Sequence, residues 1–338
     1  MNERPITPAE LDALRCFIDL HLHLDGSLSI ASVRKLAEMQ GIPVPVSDAE
    51  LKQRLSVSAD CRDLNEYLEK FEFPCSLLMT RESLREAVRT LLGELAAEGH
   101  IYAELRFAPQ KHCEKGLTQE EAVLAALEGL KDSPIPANLI LCCMRGDDNR
   151  AENLETVKVA AKYLGRGVCA VDLAGAEALF PTADFADVFR LAREKGVPMT
   201  IHAGEADGPE SVRMALSFGA ARLGHGVRSA EDGELLRILS EKGTTLELCP
   251  TSNLNTVVVS DLRDYPLRQL LDAGVKLTVN TDNRSVSDTT IRREFQLLAE
   301  TFRLTRAEIR QLLLNAAEAA FAPESVKAAL RKTIEAAF

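Results

Sequence analysis

The 338-residue chain has no tryptophan, and aromatics make up only 5% of it. It also has no basic block: the net charge is −11 and the pI is near 5.2. An acidic chain of this kind is poorly suited to neutralising phosphates, which argues against a nucleic-acid partner or an anionic membrane surface. A small neutral molecule is the more natural ligand. No apolar run approaches membrane-spanning length. The N-terminal stretch MNERPITPAELDALRCF lacks the apolar core and cleavage pattern of a signal peptide, so a cytoplasmic location is expected. Eight cysteines occur without a single C-x-x-C pair, which points to reduced thiols with packing roles rather than a disulfide framework. Cys142-Cys143, in LILCCMR, reads as part of a buried strand.

What the chain does have is a hydrophobic fraction of 46%, ample for a large core, and a regular alternation. Eight β-rich runs recur: FIDLHLHL (17–24), IYAELRFAP (101–109), NLILCCM (138–144), GVCAVDLAG (167–175), VPMTIHAGE (197–205), ARLGHGV (221–227), TTLELCP (244–250) and VKLTVNTD (275–282). Helical patterns such as FADVFRLAREKG and ELLRILSEKG lie between them and stop at glycine. Eight βα units without a break in composition predict an α/β fold, a (β/α)8 TIM barrel, as a single domain over 1–338. A doubly wound sheet would want a Gly-rich phosphate turn after the first strand, and HLDGSL is not one. The first unit is oversized. A helical insertion over about 29–100 replaces a repeat that averages roughly 30 residues, and it leaves from the end of strand 1, where lids and substrate pockets form. Amphipathic helices beyond about 285 are expected to close the barrel.

In FIDLHLHLDGSL the period of a strand puts Ile18, Leu20, Leu22 and Leu24 on one face and Asp19, His21, His23 and Asp25 on the other. H-x-H on a strand is a common metal-ligand spacing. HAGE (202–205), LGHG (223–226), NTDN (280–283) and DLAG (172–175) all fall at the C-terminal ends of their strands, the catalytic face of such a barrel. Four of the six histidines, His21, His23, His202 and His225, gather there. His21, His23 and His202 offer neutral nitrogen and Asp282 a charged oxygen, a first shell suited to Zn²⁺ with a position left for water. The metal would lower that water's pKa and supply hydroxide. His225 and Asp282 would orient the water or take its proton. Glu205 would donate a proton to the substrate, which requires a pocket that keeps it neutral.

HLHLDGSL, DLAGAE, TIHAGE, RLGHGV, CPTSN and NTDN, in this order, resemble the adenosine deaminase family of the metal-dependent amidohydrolase superfamily, over about residues 15–320. The resemblance implies one zinc per chain, held by His21, His23, His202 and Asp282. It makes Glu205 the proton donor to purine N1 and gives His225 the placing and electrostatic stabilisation of the attacking hydroxide. Substrate contacts would come from His23, from Asp25 at the ribose hydroxyl, from the Gly175 N–H at purine N3, and from Asn283. Adenosine and 2′-deoxyadenosine would become inosine and 2′-deoxyinosine, with ammonia released, as in purine salvage.

One position departs from the pattern. The family commonly carries two aspartates after strand 8, the second contacting purine N7, and here the second is Asn283. N7 is an acceptor, which an amide meets at any pH and a carboxyl only when protonated. Within the same chemistry, free adenine or a modified adenine nucleoside is the alternative substrate. A zinc-stabilised protein without catalysis is a remoter one, since no acid or ligand is missing. Strand 4 has no lysine to bridge two metals, and the P-C-x-x-C of cytidine-type deaminases is absent, Leu78 standing where its second cysteine belongs. Ser252 and Asn253 in CPTSN are candidates for support around the metal site, and Arg106 for a buried ion pair.

Overall fold

The computed structural model describes residues 4–58 and 60–338; Met1–Glu3 and Ala59 lie outside the described residues. Eight parallel strands run in chain order: β1 (Phe17–His23), β2 (His100–Phe107), β3 (Ala137–Met144), β4 (Val168–Ala174), β5 (Thr200–Ala203), β6 (Arg222–His225), β7 (Thr245–Leu248) and β8 (Lys276–Val279). They pair as β1-β2-β3-β4 and β5-β6-β7-β8. Two bridges close the ring, Val171 with Met199 and Leu22 with Asp282. The second is fixed from both sides, by His23 N–H on the Asp282 carbonyl and Asp282 N–H on the His21 carbonyl, each 2.8 Å. The ring is a TIM barrel.

The late strands are shorter than the apolar runs that announce them. In 197–205 the continuous strand starts only at Thr200, behind the single bridge at Met199; Pro198 has no N–H to give to a ladder, and only its carbonyl takes part, accepting from Val171 N–H at 3.0 Å. The strand stops at Ala203 because Gly204 turns into the left-handed region (φ 74°). Every residue of β1 is buried. Helices cover its outer face, so the polar face that a half-exposed strand would give to water points into the barrel instead.

Charges fill the lower barrel interior. Arg106, Arg222, Glu104, Asp172 and Glu247 are at most 1% exposed, and each is paired: Arg106 with Asp172 and Glu247 (both 2.8 Å), Arg222 with Glu104 and Glu247 (both 2.6 Å). Burying any of these ions alone would cost several kcal/mol. The Arg222 guanidinium lies 3.9 Å from the ring centroid of Phe321, which joins the helices Arg306–Ala319 and Glu324–Ala337 and covers this end of the barrel.

The chain between β1 and β2 forms helices over Ile30–Gln40, Asp48–Leu55, Leu64–Leu68, Glu72–Ser76 and Arg81–Glu98, and its middle part reaches the opposite end of the barrel. Thr80 caps the last of these with a capping box. Leu64 and Tyr67 pack on Cys61 and on Val286 beyond β8, with Ala206 beyond β5 alongside, in a small apolar cluster apart from the main core. The Tyr67 hydroxyl sits 2.7 Å from Ser287 Oγ. No helix among the described residues is long and apolar enough to cross a membrane.

Candidate active site

The strand ends bring His21, His23, His202 and Asp282 together so that one ligand atom from each lies within 4.8 Å of every other. His21 Nε2 and His23 Nε2 stand 3.3 and 3.4 Å from Asp282 Oδ1, and His23 Nε2 stands 3.3 Å from His202 Nε2. The outer nitrogens fix the tautomers. His21 Nδ1 meets Glu247 at 2.9 Å and His202 Nδ1 meets Asp172 at 2.9 Å, so each donates outward and turns a bare Nε2 inward. Burial works against the Asp172 and Glu247 carboxylates. His202 and Arg106 beside the first, and Arg106 and Arg222 beside the second, outweigh it and hold both well below the usual carboxylate range. The bare Nε2 atoms of His21 and His202 and the Asp282 carboxylate turn lone pairs toward one another, a repulsion that a cation between them relieves. His21 Nε2, buried and without a hydrogen-bond partner among the described residues, is the clearest sign. The donor set fits a divalent transition metal.

A second group, His21, His225, Cys249 and Asp282, also satisfies the distances. It fits less well: burial pushes the Cys249 thiol well above its ordinary value, and that thiol donates to the Glu247 carbonyl at 3.4 Å. A protonated thiol is not a ligand.

Two backbones at the site are strained. His225 and Asp282 take φ of 61° and 58°, a region that side-chain-bearing residues seldom occupy and that clusters where function demands it.

Glu205 is 4% exposed. Burial first, then the Asp282 and Glu177 carboxylates, push its carboxyl up to about 8. Its Oε2 lies 3.5 Å from His225 Nε2 and its Oε1 accepts from the Thr256 hydroxyl at 3.3 Å. The loop that carries it is held by Glu177, which no sequence signal singled out. Glu177 accepts the backbone N–H groups of Gly204 (2.7 Å), Glu205 (2.9 Å), Ala206 (2.8 Å) and Asp207 (3.1 Å). Arg228 Nε adds a bond to the Glu205 carbonyl at 2.8 Å. DLAGAE therefore supports the site three times: Asp172 orients His202, Gly175 turns the chain at φ 110°, and Glu177 anchors the next loop. Glu177→Gln would point an N–H₂ group at amides that need an acceptor. Bonds to a buried charge are worth about 1.5–3 kcal/mol each, and several are weakened together. We expect urea denaturation to show a loss of about 3 kcal/mol or more, with kcat reduced.

Asp25 follows β1 in a 3-10 turn, buried, with Cys75 of the insertion donating to its Oδ2 at 3.5 Å; burial pushes its carboxyl up to about 6. Asn283 lies against Gly26, where a β-carbon would come within 2.0 Å of Asn283 Oδ1, so only glycine fits. That Oδ1 is buried and unpartnered among the described residues. Ser252 and Asn283 both stand beside the Tyr67 phenol. Arg106 is the buried ion-pair partner described above. The residues expected at the site are thus at one end of the barrel, with Cys75 and Tyr67 of the inserted helices against Asp25 and Asn283. Asp172, Glu247 and Glu177 complete it.

A family model described as adenosine deaminase matches residues 17–337. An adenosine deaminase from Haemophilus ducreyi is 52% identical over 327 residues, covering 94% of this chain and 95% of that one. One from Enterococcus faecalis is 41% identical over 325 residues, with 95% and 96% covered. Among solved structures, an adenine deaminase from Arthrobacter aurescens superposes with a TM-score of 0.85 at 27% identity, covering 95% of this chain and 98% of that one.

Proposed function

Because this chain belongs to the adenosine deaminase family, we propose that it hydrolyses adenosine and 2′-deoxyadenosine to inosine and 2′-deoxyinosine with release of ammonia. The observation that carries the reading is a neutral buried acid, Glu205, set beside four convergent ligand atoms. That pairing suits attack of water on an electrophilic ring carbon while the neighbouring nitrogen is protonated. We assign one zinc ion per chain to His21, His23, His202 and Asp282. When bound, zinc makes water a competent nucleophile near neutral pH.

The remaining steps belong to the chain. Glu205 holds a proton for purine N1, so that charge arriving on the ring at the transition state is neutralised. His225, buried and with its ring pushed well below its ordinary pKa by burial, stays neutral beside the attacking oxygen. Gly175 offers its backbone N–H to N3, and His23 lines the substrate side. Asp25 receives a ribose hydroxyl, an anionic partner that disfavours a 5′-phosphate there. The inserted helices act as a lid that excludes water, with Tyr67 and its small apolar cluster as the latch. The whole chain works as one barrel domain. Eight free cysteines among the described residues suit a reducing, cytoplasmic setting.

Asn283 is assigned to N7. Its amide donates at any pH. In Asn283→Asp only the protonated carboxyl does so, and that form is lost as pH rises. The ratio of kcat/KM, variant over parent, is therefore expected to fall by about tenfold per pH unit above the carboxyl's pKa. A ratio flat from pH 5 to 9 would remove Asn283 from that contact.

The substrate assignment is tested by offering adenosine, 2′-deoxyadenosine, adenine and adenosine 5′-monophosphate side by side to zinc-loaded protein. Turnover of the two nucleosides far above the others is expected. Preference for adenine, the substrate in the name of the Arthrobacter structure, would overturn the ribose contacts and leave the deamination chemistry in place.

A further inference from the structure

His225 has two ring nitrogens and one proton, and which nitrogen carries it decides what the ring can do. If Nε2 carries the proton, the ring donates to an oxygen in the site. If Nδ1 carries it, the bare Nε2 accepts instead. The family pattern assigns His225 to the attacking oxygen without settling this.

The surroundings settle it through two residues, Asn253 at the end of CPTSN and Tyr265 beyond it. Asn253, in the helix Pro250–Asn255 after β7, places Nδ2 3.0 Å from His225 Nδ1. Tyr265, before the helix Leu267–Asp272, places its hydroxyl 3.0 Å from Asn253 Oδ1. All three side chains are buried, at 0–2% exposure. A buried phenol must donate its proton, and among the described residues the Tyr265 hydroxyl has Asn253 Oδ1 as its hydrogen-bond acceptor. That bond fixes the amide with Oδ1 toward the phenol and Nδ2 toward the ring. An amide N–H₂ only donates, so His225 Nδ1 must accept. Reversing the amide would orphan the phenol proton in the core, at a cost that burial makes large.

We propose that Asn253 and Tyr265 are positioning residues that lock His225 in the tautomer protonated at Nε2, making it a hydrogen-bond donor to the attacking oxygen. The inference rests on the deaminase reading for what the donor meets, but the lock itself does not. The Nε2 side carries Glu205 Oε2 at 3.5 Å, and the rings of His21 and His202 lie at centroid distances of 4.9 and 5.2 Å. A donor there steadies negative charge on oxygen and cannot take the water's proton. Of the two acceptors the sequence left open, His225 and Asp282, the geometry leaves the Asp282 carboxylate.

The test is the ring ¹⁵N spectrum of histidine-labelled, zinc-loaded full chain, with the His225 signals identified by their loss in His225→Gln. Expected is a protonated, pyrrole-type Nε2 and a bare, pyridine-type Nδ1. Asn253→Asp, which only accepts, should move the proton to Nδ1 and lower kcat by about 10²-fold with KM within a few-fold, as loss of one oxyanion donor does. Tyr265→Phe is the gentler variant. It frees the amide to rotate, so both tautomers should appear and kcat should fall about tenfold, a fraction of that loss. A protonated Nδ1 in the parent overturns the proposal, as does a Tyr265→Phe chain with both tautomer and kcat unchanged. A parent with the Nε2–H tautomer that leaves adenosine untouched would support the lock while removing the substrate assignment.

Discussion

Glu205→Gln is expected to lower kcat for adenosine by about 10³-fold while leaving KM within a few-fold, because the amide fills the same space but has no proton to give. The reason lies in the balance around the carboxyl. Burial, with Asp282 and Glu177 adding to it, lifts Glu205 to about 8, so the acid form is the one present at neutral pH. As pH rises through about 8 the donor is lost, and kcat/KM of the parent should fall on that limb. The same shift has a sign in stability. A folded-state pKa raised above the ordinary value of about 4.3 gives stability that is fully present below that value and lost as pH climbs through about 8. Glutamine stays neutral throughout. The variant should therefore match the parent's Tm near pH 4 and exceed it increasingly up to pH 9. A variant that keeps its kcat, or a Tm difference independent of pH, would show that Glu205 is not the buried acid.

The second large effect is expected at the ligand group. Asp282→Ala removes the one anion among four convergent atoms and should abolish metal retention together with activity, a loss of more than about 10³-fold in kcat. Stripping the parent with a chelator should lower its Tm as well, since an ion held only by the folded chain stabilises it in proportion to its binding. Without a cation, His21 Nε2 faces Asp282 Oδ1 at 3.3 Å and His23 Nε2 faces His202 Nε2 at 3.3 Å with nothing to bind them. Glu247→Gln, which keeps the shape but weakens the acceptor behind His21, is expected to reduce metal affinity by about 10- to 100-fold. Atomic absorption on desalted variants checks both. Metal retained at parental levels by Asp282→Ala would contradict the assigned ligand set.

Much of this was legible in the chain because barrel strands repeat a simple rule: apolar runs of strand length, each ending in a turn at the same face. That rule alone gathers His21, His23, His202, His225 and Asp282 at one end. Strand boundaries were less legible, since they depend on single backbone features such as Pro198 and the left-handed Gly204. The residues that orient the ligands were harder still. Asp172 in AVDLAG, Glu247 in LELC, Arg106 in ELRF and Arg222 before LGHG are each a charge inside an apolar strand, a pattern that signals burial with a partner. The partner comes from another strand, and pairs such as Arg106–Glu247 are a long-range property that spacing does not carry. Glu177 had the weakest signal. Its partners are backbone N–H groups of a different loop, which leave no trace in side-chain type. Tyr265 was invisible for a similar reason, being one of four tyrosines in the chain with nothing in its local sequence to link it to His225.

The central claim is that one metal ion in the group His21, His23, His202 and Asp282 is needed for deamination. It is tested most directly by titrating zinc into chelator-stripped protein while measuring ammonia released from adenosine. Activity should rise linearly and level off at one ion per chain, and Asp282→Ala should stay flat throughout. Full ammonia release from the stripped chain, or a titration that Asp282→Ala follows as the parent does, would contradict it.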